Sequence, residues 1–323
     1  MEAGYRRDDK DETALRAVAW AIRARFLRDQ ARVTSILAIM MIGFLWGLNW
    51  PALKFMLGEM PPLTIRAFAL TLAALLLASI AWFMGHGMRP SPGERVPILL
   101  TGLLLVFGFN VLTTFGQLAT ETSRAVIIAY TMPALTAVLA VVFLGERLGL
   151  RIVTALVLGM AALGILLSED VGALASGPQG PAIMLLAALS WALGNVALKA
   201  RKWRLSPLAL TVWFFVVSSI ACWPLVLMFE PPWRQTWPSL PVLLTLTYHV
   251  LGPMVVCYSI WTLSLGRLPA TVAAISTLTA PIVGVMSSVV FLGDQMTWQK
   301  LLALLMIVTS ILVTLLPKAH WGR

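Results

Sequence analysis

The chain has 323 residues, of which 59% are hydrophobic and only 12% are charged. Its mean hydropathy of +0.87 lies far outside the range of a soluble domain with a single core, so the composition predicts a polytopic membrane protein. The net charge of +10 could also indicate nucleic-acid binding. However, most of the 24 basic residues fall in tails and short connections on one predicted side of the membrane. This distribution argues against nucleic acid as a partner and, by the positive-inside rule, predicts cytoplasmic N- and C-termini.

Residues 1–32 form a charged N-terminal tail. They carry six acidic and eight basic residues, unlike the continuous apolar region of a signal peptide. Apolar positions recur at helical spacing from Leu15 to Phe26. This pattern favours an interfacial helix on anionic lipid, and a mobile, solvated tail is the alternative of equal weight.

Ten windows without Asp, Glu, Lys or Arg follow the tail, each of 17 residues or more. A helix needs roughly 17 to 25 residues to cross the hydrocarbon core of a bilayer. These runs are too uniformly apolar for the alternating strands of a membrane barrel. We therefore predict an all-α membrane protein with ten transmembrane helices, each of which contains one of these charge-free windows, namely residues 33–53, 67–85, 96–120, 125–145, 152–168, 171–198, 205–229, 235–266, 268–293 and 301–317.

Two strings in the chain each occur twice. WGLNWPALK at 46–54 and WALGNVALK at 191–199 share five identical residues at an offset of 145, and TMPALTAVLAVVFLGE at 131–146 matches TAPIVGVMSSVVFLGD at 279–294 at an offset of 148. Because a unit of five spans is odd, its second copy enters the membrane from the opposite side. We predict two inverted five-helix repeats with short flanking segments, arranged as repeat 33–168 (helices 1–5), outer linker 169–180, repeat 181–317 (helices 6–10) and cytoplasmic tail 318–323.

These strings, with RAVIIAYTMPALTAVLAVVFLGERL across span four and LSWALGNVALK in span six, resemble the EamA family of the drug/metabolite transporter superfamily. The resemblance runs from about Val33 to Pro317. It implies two inverted EamA repeats, a central cavity lined mainly by spans one, three, four, six, eight and nine, and export of small metabolites such as amino acids. The second repeat reads LGDQM where the family more often has LGERL, so the two halves differ at this turn.

Few ionisable side chains fall inside the predicted spans, where an unpaired charge costs several kcal/mol. Arg66 lies about one turn into span two and Lys54 about one turn from the outer end of span one, so both could meet one substrate carboxylate. The alternative is that both reach the outer head groups or pair with Glu59 and Glu121.

His249 is the only histidine inside a predicted span. Every carboxylate falls in a tail, a loop or a helix end, so His249 is the candidate for proton coupling if water reaches it. The alternative is a neutral histidine that donates one hydrogen bond to a neighbouring helix.

Neutral polar and aromatic residues recur at similar depths in both repeats. Any one of them is more typical of contacts between packed helices, but as a set they predict a cavity for amphipathic small molecules. With Arg66, the predicted substrate-binding residues are Trp46, Asn49, Trp50, Asn110, Thr113, Gln117, Tyr130, Trp191, Asn195, Tyr258 and Trp261.

Pro133 in span four and Pro281 in span nine occupy corresponding positions of the two repeats. Each removes a backbone donor and predicts a break in its helix. Paired breaks indicate hinges for gating, and static kinks are the alternative.

We predict a transporter of the bacterial plasma membrane that exports a small organic metabolite, an amino acid or a related amphiphile, by alternating access. The alternatives are a proton-coupled exporter of drugs or cations and a non-transporting membrane protein. Cys222 and Cys257 fall in different spans and predict neither a disulfide nor a metal site. We expect no catalytic residues, no cofactor and no metal; the expected partners are a small-molecule substrate, the lipid bilayer and a possible second copy in a homodimer.

Overall fold

The computed structural model describes residues 41–145, 149–168, 179–264 and 270–315. The predicted tails and residues 169–178 of the predicted linker lie outside these ranges. Every regular element of the described part is helical. In chain order they are α1 (41–56), α2 (Pro62–Phe83), α3 (Arg95–Gly102), π1 (Leu103–Gly108), α4 (Phe109–Leu118), α5 (Thr122–Ala129), α6 (Met132–Leu144), α7 (Leu150–Ser168), α8 (Gln179–Lys199), α9 (Pro207–Phe229), α10 (Leu240–His249), π2 (Val250–Cys257), α11 (Tyr258–Ser264), α12 (Ala270–Leu292) and α13 (Trp298–Leu315).

Six helical stretches of the described residues are long and apolar enough to cross a membrane. They are Pro62–Phe83, Pro92–Leu118, Thr122–Leu144, Gln179–Lys199, Pro207–Phe229 and Leu240–Leu263. Three shorter apolar stretches accompany them, at Val153–Leu166, Thr279–Leu292 and Trp298–Val313. These helices confirm the prediction of an all-helical membrane protein, because a helix satisfies its backbone polar groups without water. The number of ten spans, the inverted repeats and the side on which the termini lie stay predictions.

The α2 and α9 helices pack together and run antiparallel, with the end of α9 at the start of α2. Glu230, directly after α9, accepts hydrogen bonds from the backbone amides of Leu63 at 3.0 Å and Thr64 at 2.7 Å. Such amides in the first turn of a helix have no partner within the helix, and a carboxylate there also suits the helix dipole. The contact fixes the first turn of α2, and Arg66 lies in the turn that follows.

The turn between α1 and α2 is held against the start of α10 by Glu59. Its carboxylate accepts from the backbone amide of Ser239 at 2.7 Å and from the Ser239 hydroxyl at 2.8 Å. These hydrogen bonds favour the ionised carboxylate and lower the pKa of Glu59 below its usual value. The contact therefore weakens when acid protonates Glu59.

The α8 helix packs tightly against π1 and α4. A Cβ added at Gly194 would lie 2.6 Å from the Cα of Leu105, so only glycine permits this approach. One turn earlier in α8, the hydroxyl of Ser190 donates to the Leu104 carbonyl at 2.7 Å. The hydroxyl thus bonds to the irregular backbone of π1.

Two π-helical segments interrupt corresponding parts of the chain. The offset of 148 that relates the second pair of repeated strings maps π1, Leu103–Gly108, onto residues 251–256, which lie inside π2, Val250–Cys257. Insertions of this kind occur frequently at functional sites of helical proteins. Nothing in the sequence predicted them, since their apolar composition resembles that of the α-helices around them.

The backbone differs at the two predicted proline hinges. α5 ends at Ala129 and α6 begins at Met132, so the helix is interrupted directly before Pro133. α12 continues through Pro281 without interruption, so the break predicted there is wrong. Proline removes one backbone hydrogen bond, and a helix supported by its neighbours can continue across that loss. A gating role for Pro133 stays a prediction.

Candidate functional site: a buried arginine beside an aromatic cluster

Arg66 of α2 is 2% exposed and lies among neutral hydrogen-bond acceptors. Its Nε donates to the Thr114 hydroxyl at 2.5 Å and its Nη2 to the Thr113 hydroxyl at 3.4 Å, both on α4. Its Nη1 lies 3.0 Å from Nε2 of His249 at the end of α10. Three segments that are distant in sequence therefore meet at one guanidinium.

Among the described residues, neither Arg66 nor Lys54 forms an ion pair with Glu59 or Glu121. Glu59 binds Ser239, as above, and Glu121 pairs with Lys300. Lys54 donates to the backbone carbonyl of Gln117 at the end of α4. Arg66 is buried and pairs with neither glutamate.

The hydrogen bonds of Arg66 determine the tautomer of His249. Arginine can only donate, so Nε2 of His249 must be the acceptor and its proton must lie on Nδ1. Nδ1 then donates to the Asn49 side-chain oxygen of α1 at 2.5 Å, once the Asn49 amide is oriented to fit. The ring is fully buried in this arrangement. A role of His249 in proton coupling stays a prediction.

The charge of Arg66 is not balanced by any carboxylate within the described part of the chain. Two of its five N–H donors have no partner there, since three are directed at Thr114, Thr113 and His249. A buried guanidinium loses its hydration and gains only neutral hydrogen bonds in exchange. The arrangement is suited to bind an anion, and a carboxylate or phosphate can accept two parallel hydrogen bonds from a guanidinium.

Asn110 connects the arginine to an aromatic cluster. Its backbone carbonyl accepts from the hydroxyls of Thr113 at 2.9 Å and Thr114 at 2.7 Å. Its side-chain nitrogen donates to the Tyr258 hydroxyl at 2.8 Å. Asn110 and Tyr258 are 148 residues apart, so this bond joins positions that correspond in the two halves of the sequence.

Four of the predicted aromatic residues pack together, and the ring of Trp46 lies edge to face against the other three. Trp46 lies 5.9 Å from Trp191, 5.9 Å from Tyr258 and 5.7 Å from Trp261, measured between ring centroids. The indole of Trp261 donates to the side-chain oxygen of Asn195 at 3.1 Å. Rings in such a cluster can hold an apolar group, and their faces can attract a cation.

Three more of the predicted residues are Trp50, Tyr130 and Gln117. Trp50 and Tyr130 are both buried, with ring centroids 6.4 Å apart. Gln117 is also buried, and its side-chain oxygen has no hydrogen-bond partner among the described residues. A buried acceptor without a partner is costly, and it could accept from an ammonium or hydroxyl of a ligand.

All twelve predicted binding residues and His249 are thus buried or half-buried. Thr114 is one of the polar residues at this depth of span three, but it is not among the twelve predicted binding residues, and it accepts a hydrogen bond from Arg66. Its position next to Thr113, on the face of α4 one turn after Asn110, was the available signal.

The apolar helices define a multi-pass membrane protein with a buried polar and aromatic centre between them. The sequence profile of the EamA-like transporter family matches residues 33–168 and again residues 179–316. The chain belongs to this family of membrane transporters, and the resemblance found in its sequence is confirmed. The family and the apolar helices also confirm the predicted multi-pass membrane location.

Bacterial relatives match along most of their length. The chain is 27% identical over 287 residues to "Uncharacterized transporter YvbV" of Bacillus subtilis, covering 87% of this chain and 91% of the relative. It is 25% identical over 299 residues to a "Probable amino-acid metabolite efflux pump" of Salmonella typhimurium, covering 88% and 95%. A relative with the same name from Escherichia coli is 24% identical with the same coverage.

A protein known from a crystal structure has a similar fold. The two structures superpose with a TM-score of 0.65 at 20% sequence identity, over 87% of this chain and 96% of the other. The likeness supports the helical arrangement described above and says nothing about the ligand.

Proposed function

We propose that this transporter exports small organic acids that carry an apolar group, with amino acids and related amphiphiles as the first candidates. The observation that carries the proposal is the buried guanidinium of Arg66, without a described carboxylate partner and linked to the aromatic cluster through Asn110. In this proposal the substrate carboxylate binds the two remaining donors of Arg66, and its apolar part lies among the tryptophans. The names of the relatives from Salmonella and Escherichia coli support the substrate class.

The mechanism we propose is alternating access by two inverted repeats in a bacterial inner membrane. Its support is the doubled strings, the family match in two consecutive stretches and the π-helical segments at corresponding positions. Asn110 and Tyr258 would then lie at the junction of the repeats, where the substrate would bind.

The rival function, proton-coupled export of cationic drugs, would require the same residues to bind a cation and His249 to take up a proton. A cationic substrate beside Arg66 would meet a like charge at low dielectric, which is costly. A proton on Nε2 of His249 would replace an acceptor with a donor and bring two positive charges 3.0 Å apart. Both considerations favour an anionic group over a cation in this centre.

Efflux of labelled compounds from cells tests the proposal. Cells that express the chain are loaded with a panel of amino acids, their amides and cationic dyes, and export is compared with an empty-vector control. We expect export of carboxylates that Arg66→Gln, Asn110→Ala and Trp191→Ala each reduce at equal expression, whereas Arg234→Gln, at an exposed arginine of a loop, does not. Export of dyes that depends on His249 but not on Arg66 would favour the rival, and no export above the control would exclude both.

A further inference from the structure

A second charged site lies outside the central one, between the loop that follows α2 and the loop that joins α8 to α9. A cavity of about 610 Å³ separates these loops. Its lining residues are Gly87, Met88, Arg89, Ser91, Glu94, Arg204 and Leu205. The volume falls in the range of about 300 to 1,000 Å³ that is typical of small-molecule sites.

Two arginines line the cavity, and their guanidinium groups have no described partner. Arg89 and Arg204 are both exposed, and neither guanidinium takes part in a hydrogen bond or ion pair found among the described residues. Two guanidinium groups that line one cavity repel each other unless an anion lies between them. The charge in this cavity therefore favours an anionic ligand.

Glu94 contributes one negative charge against the two arginines, so the cavity lining keeps a net positive charge. It is 2% exposed and accepts from the Ser91 amide at 3.1 Å, the Ser91 hydroxyl at 2.7 Å and the Arg204 amide at 2.6 Å. These bonds connect the two loops and fix the backbone from which the Arg204 side chain extends. Glu94 is thus a positioning residue for the cavity.

Charge and apolar exposure around the cavity indicate where the anion comes from. Arg201 donates to the Gly93 carbonyl at 3.1 Å, so a third basic residue lies close to the same loop. Directly before the loop, α2 ends with three apolar side chains that are strongly exposed, Trp82 at 81%, Phe83 at 92% and Met84 at 64%. Aromatic side chains beside basic ones are typical of the level where lipid head groups meet acyl chains.

We propose that this cavity binds the phosphate of an anionic phospholipid, with Arg89 and Arg204 on the phosphate and the acyl chains along the end of α2. The lipid belongs to the leaflet at this end of the helices, which is the cytoplasmic leaflet in the orientation predicted from sequence. Guanidinium groups suit phosphate because planar donors match its oxygens. This lipid site requires neither a particular substrate nor a direction of transport. The result of its test is therefore independent of the proposed function.

Lipid retention by the purified full-length protein tests the site. The protein in detergent is mixed with phosphatidylglycerol or phosphatidylcholine, and bound lipids are counted by native mass spectrometry. We expect wild type to retain phosphatidylglycerol about tenfold better than phosphatidylcholine, and the double variant Arg89→Gln/Arg204→Gln to lose that preference. The matched control is Arg95→Gln, which removes an exposed arginine next to the cavity but outside its lining.

Each outcome bears on the proposal. Retention by the double variant equal to that of wild type overturns it, and so does an equal loss in the Arg95→Gln control, which would indicate general charge attraction. Inorganic phosphate and glycerol phosphate are added at millimolar concentration in a second arm. If either compound displaces phosphatidylglycerol when present at the same concentration as the lipid, the cavity binds a soluble phosphate. That result would overturn the proposal of a lipid site. The single variant Arg89→Gln, in an exposed loop, gives the same comparison if the double variant is unstable.

Discussion

The substitution Arg66→Gln separates a binding role of the buried arginine from a structural one. The glutamine amide can still donate two hydrogen bonds, but the substitution removes a buried charge that no described carboxylate balances. Burial of this charge costs several kcal/mol of desolvation, and the removal of that cost offsets the loss of the hydrogen bonds to Thr114, Thr113 and His249. We therefore expect the free energy of unfolding of the variant to stay within about 1 kcal/mol of wild type.

Binding of a carboxylate should respond very differently. Two charge-assisted hydrogen bonds contribute about 1.5 to 3 kcal/mol each, so the loss of both amounts to about 3 to 6 kcal/mol. Since 1.4 kcal/mol is a factor of ten in affinity, the Kd should rise by about a hundredfold or more. Calorimetry with L-phenylalanine on the purified protein measures this change, and L-phenylalaninamide, which lacks the carboxylate, should bind wild type and Arg66→Gln equally weakly.

Thermal unfolding is measured on the same samples, with Arg234→Gln as the control for removal of an arginine at an exposed position. Unchanged binding of L-phenylalanine by a folded Arg66→Gln variant would refute the anion site. A large loss of stability in Arg66→Gln, without a change in affinity of the protein that stays folded, would show that the arginine is structural.

Three further substitutions test the packing and the connections described above. Gly194→Ala should destabilise the protein by about 1 to 3 kcal/mol in thermal unfolding, because the new methyl overlaps π1; Gly164→Ala, where no atom lies within 4 Å, should be neutral or stabilising. Tyr258→Phe removes the acceptor of the Asn110 amide, so we expect export to fall severalfold at equal expression, and an unchanged rate would contradict the proposed junction. Because its folded pKa is lowered, Glu59 stabilises the protein above its unfolded pKa and loses this contribution as pH falls through the folded value. Unfolding of wild type between pH 7 and 3 should therefore depend more on pH than that of Glu59→Gln, and identical profiles would contradict this.

Much of the fold could be predicted from the sequence because membrane insertion depends on local composition. A run of apolar residues forms a helix in lipid wherever it occurs, since no other local structure satisfies its backbone there. The doubled strings and the family resemblance likewise required only the order of the residues. The exception is instructive: proline predicted a break at both Pro133 and Pro281, and only the first is present, because packing decides whether a helix continues across a lost hydrogen bond.

For the candidate site, too, the sequence predicted single residues but not the contacts between them. The rarity of Arg66 and His249 within apolar runs marked each of them individually, since burial of such groups is costly anywhere in a membrane. Their direct contact could not be predicted, because 183 residues separate them and no periodicity relates α2 to α10. The same holds for Asn49 against His249 and for the selection of Thr114.

Sequence alone therefore determined that this chain is a helical membrane protein of the transporter family to which it belongs, and which of its polar residues would lie among apolar helices. The tertiary structure alone decided that the arginine lacks a described carboxylate partner, that the histidine contacts the arginine, and that the four rings form one cluster. The physical reason is that the free-energy cost of burying a charge can be judged from one residue and the apolar sequence around it. What balances that charge depends on side chains brought together from distant helices.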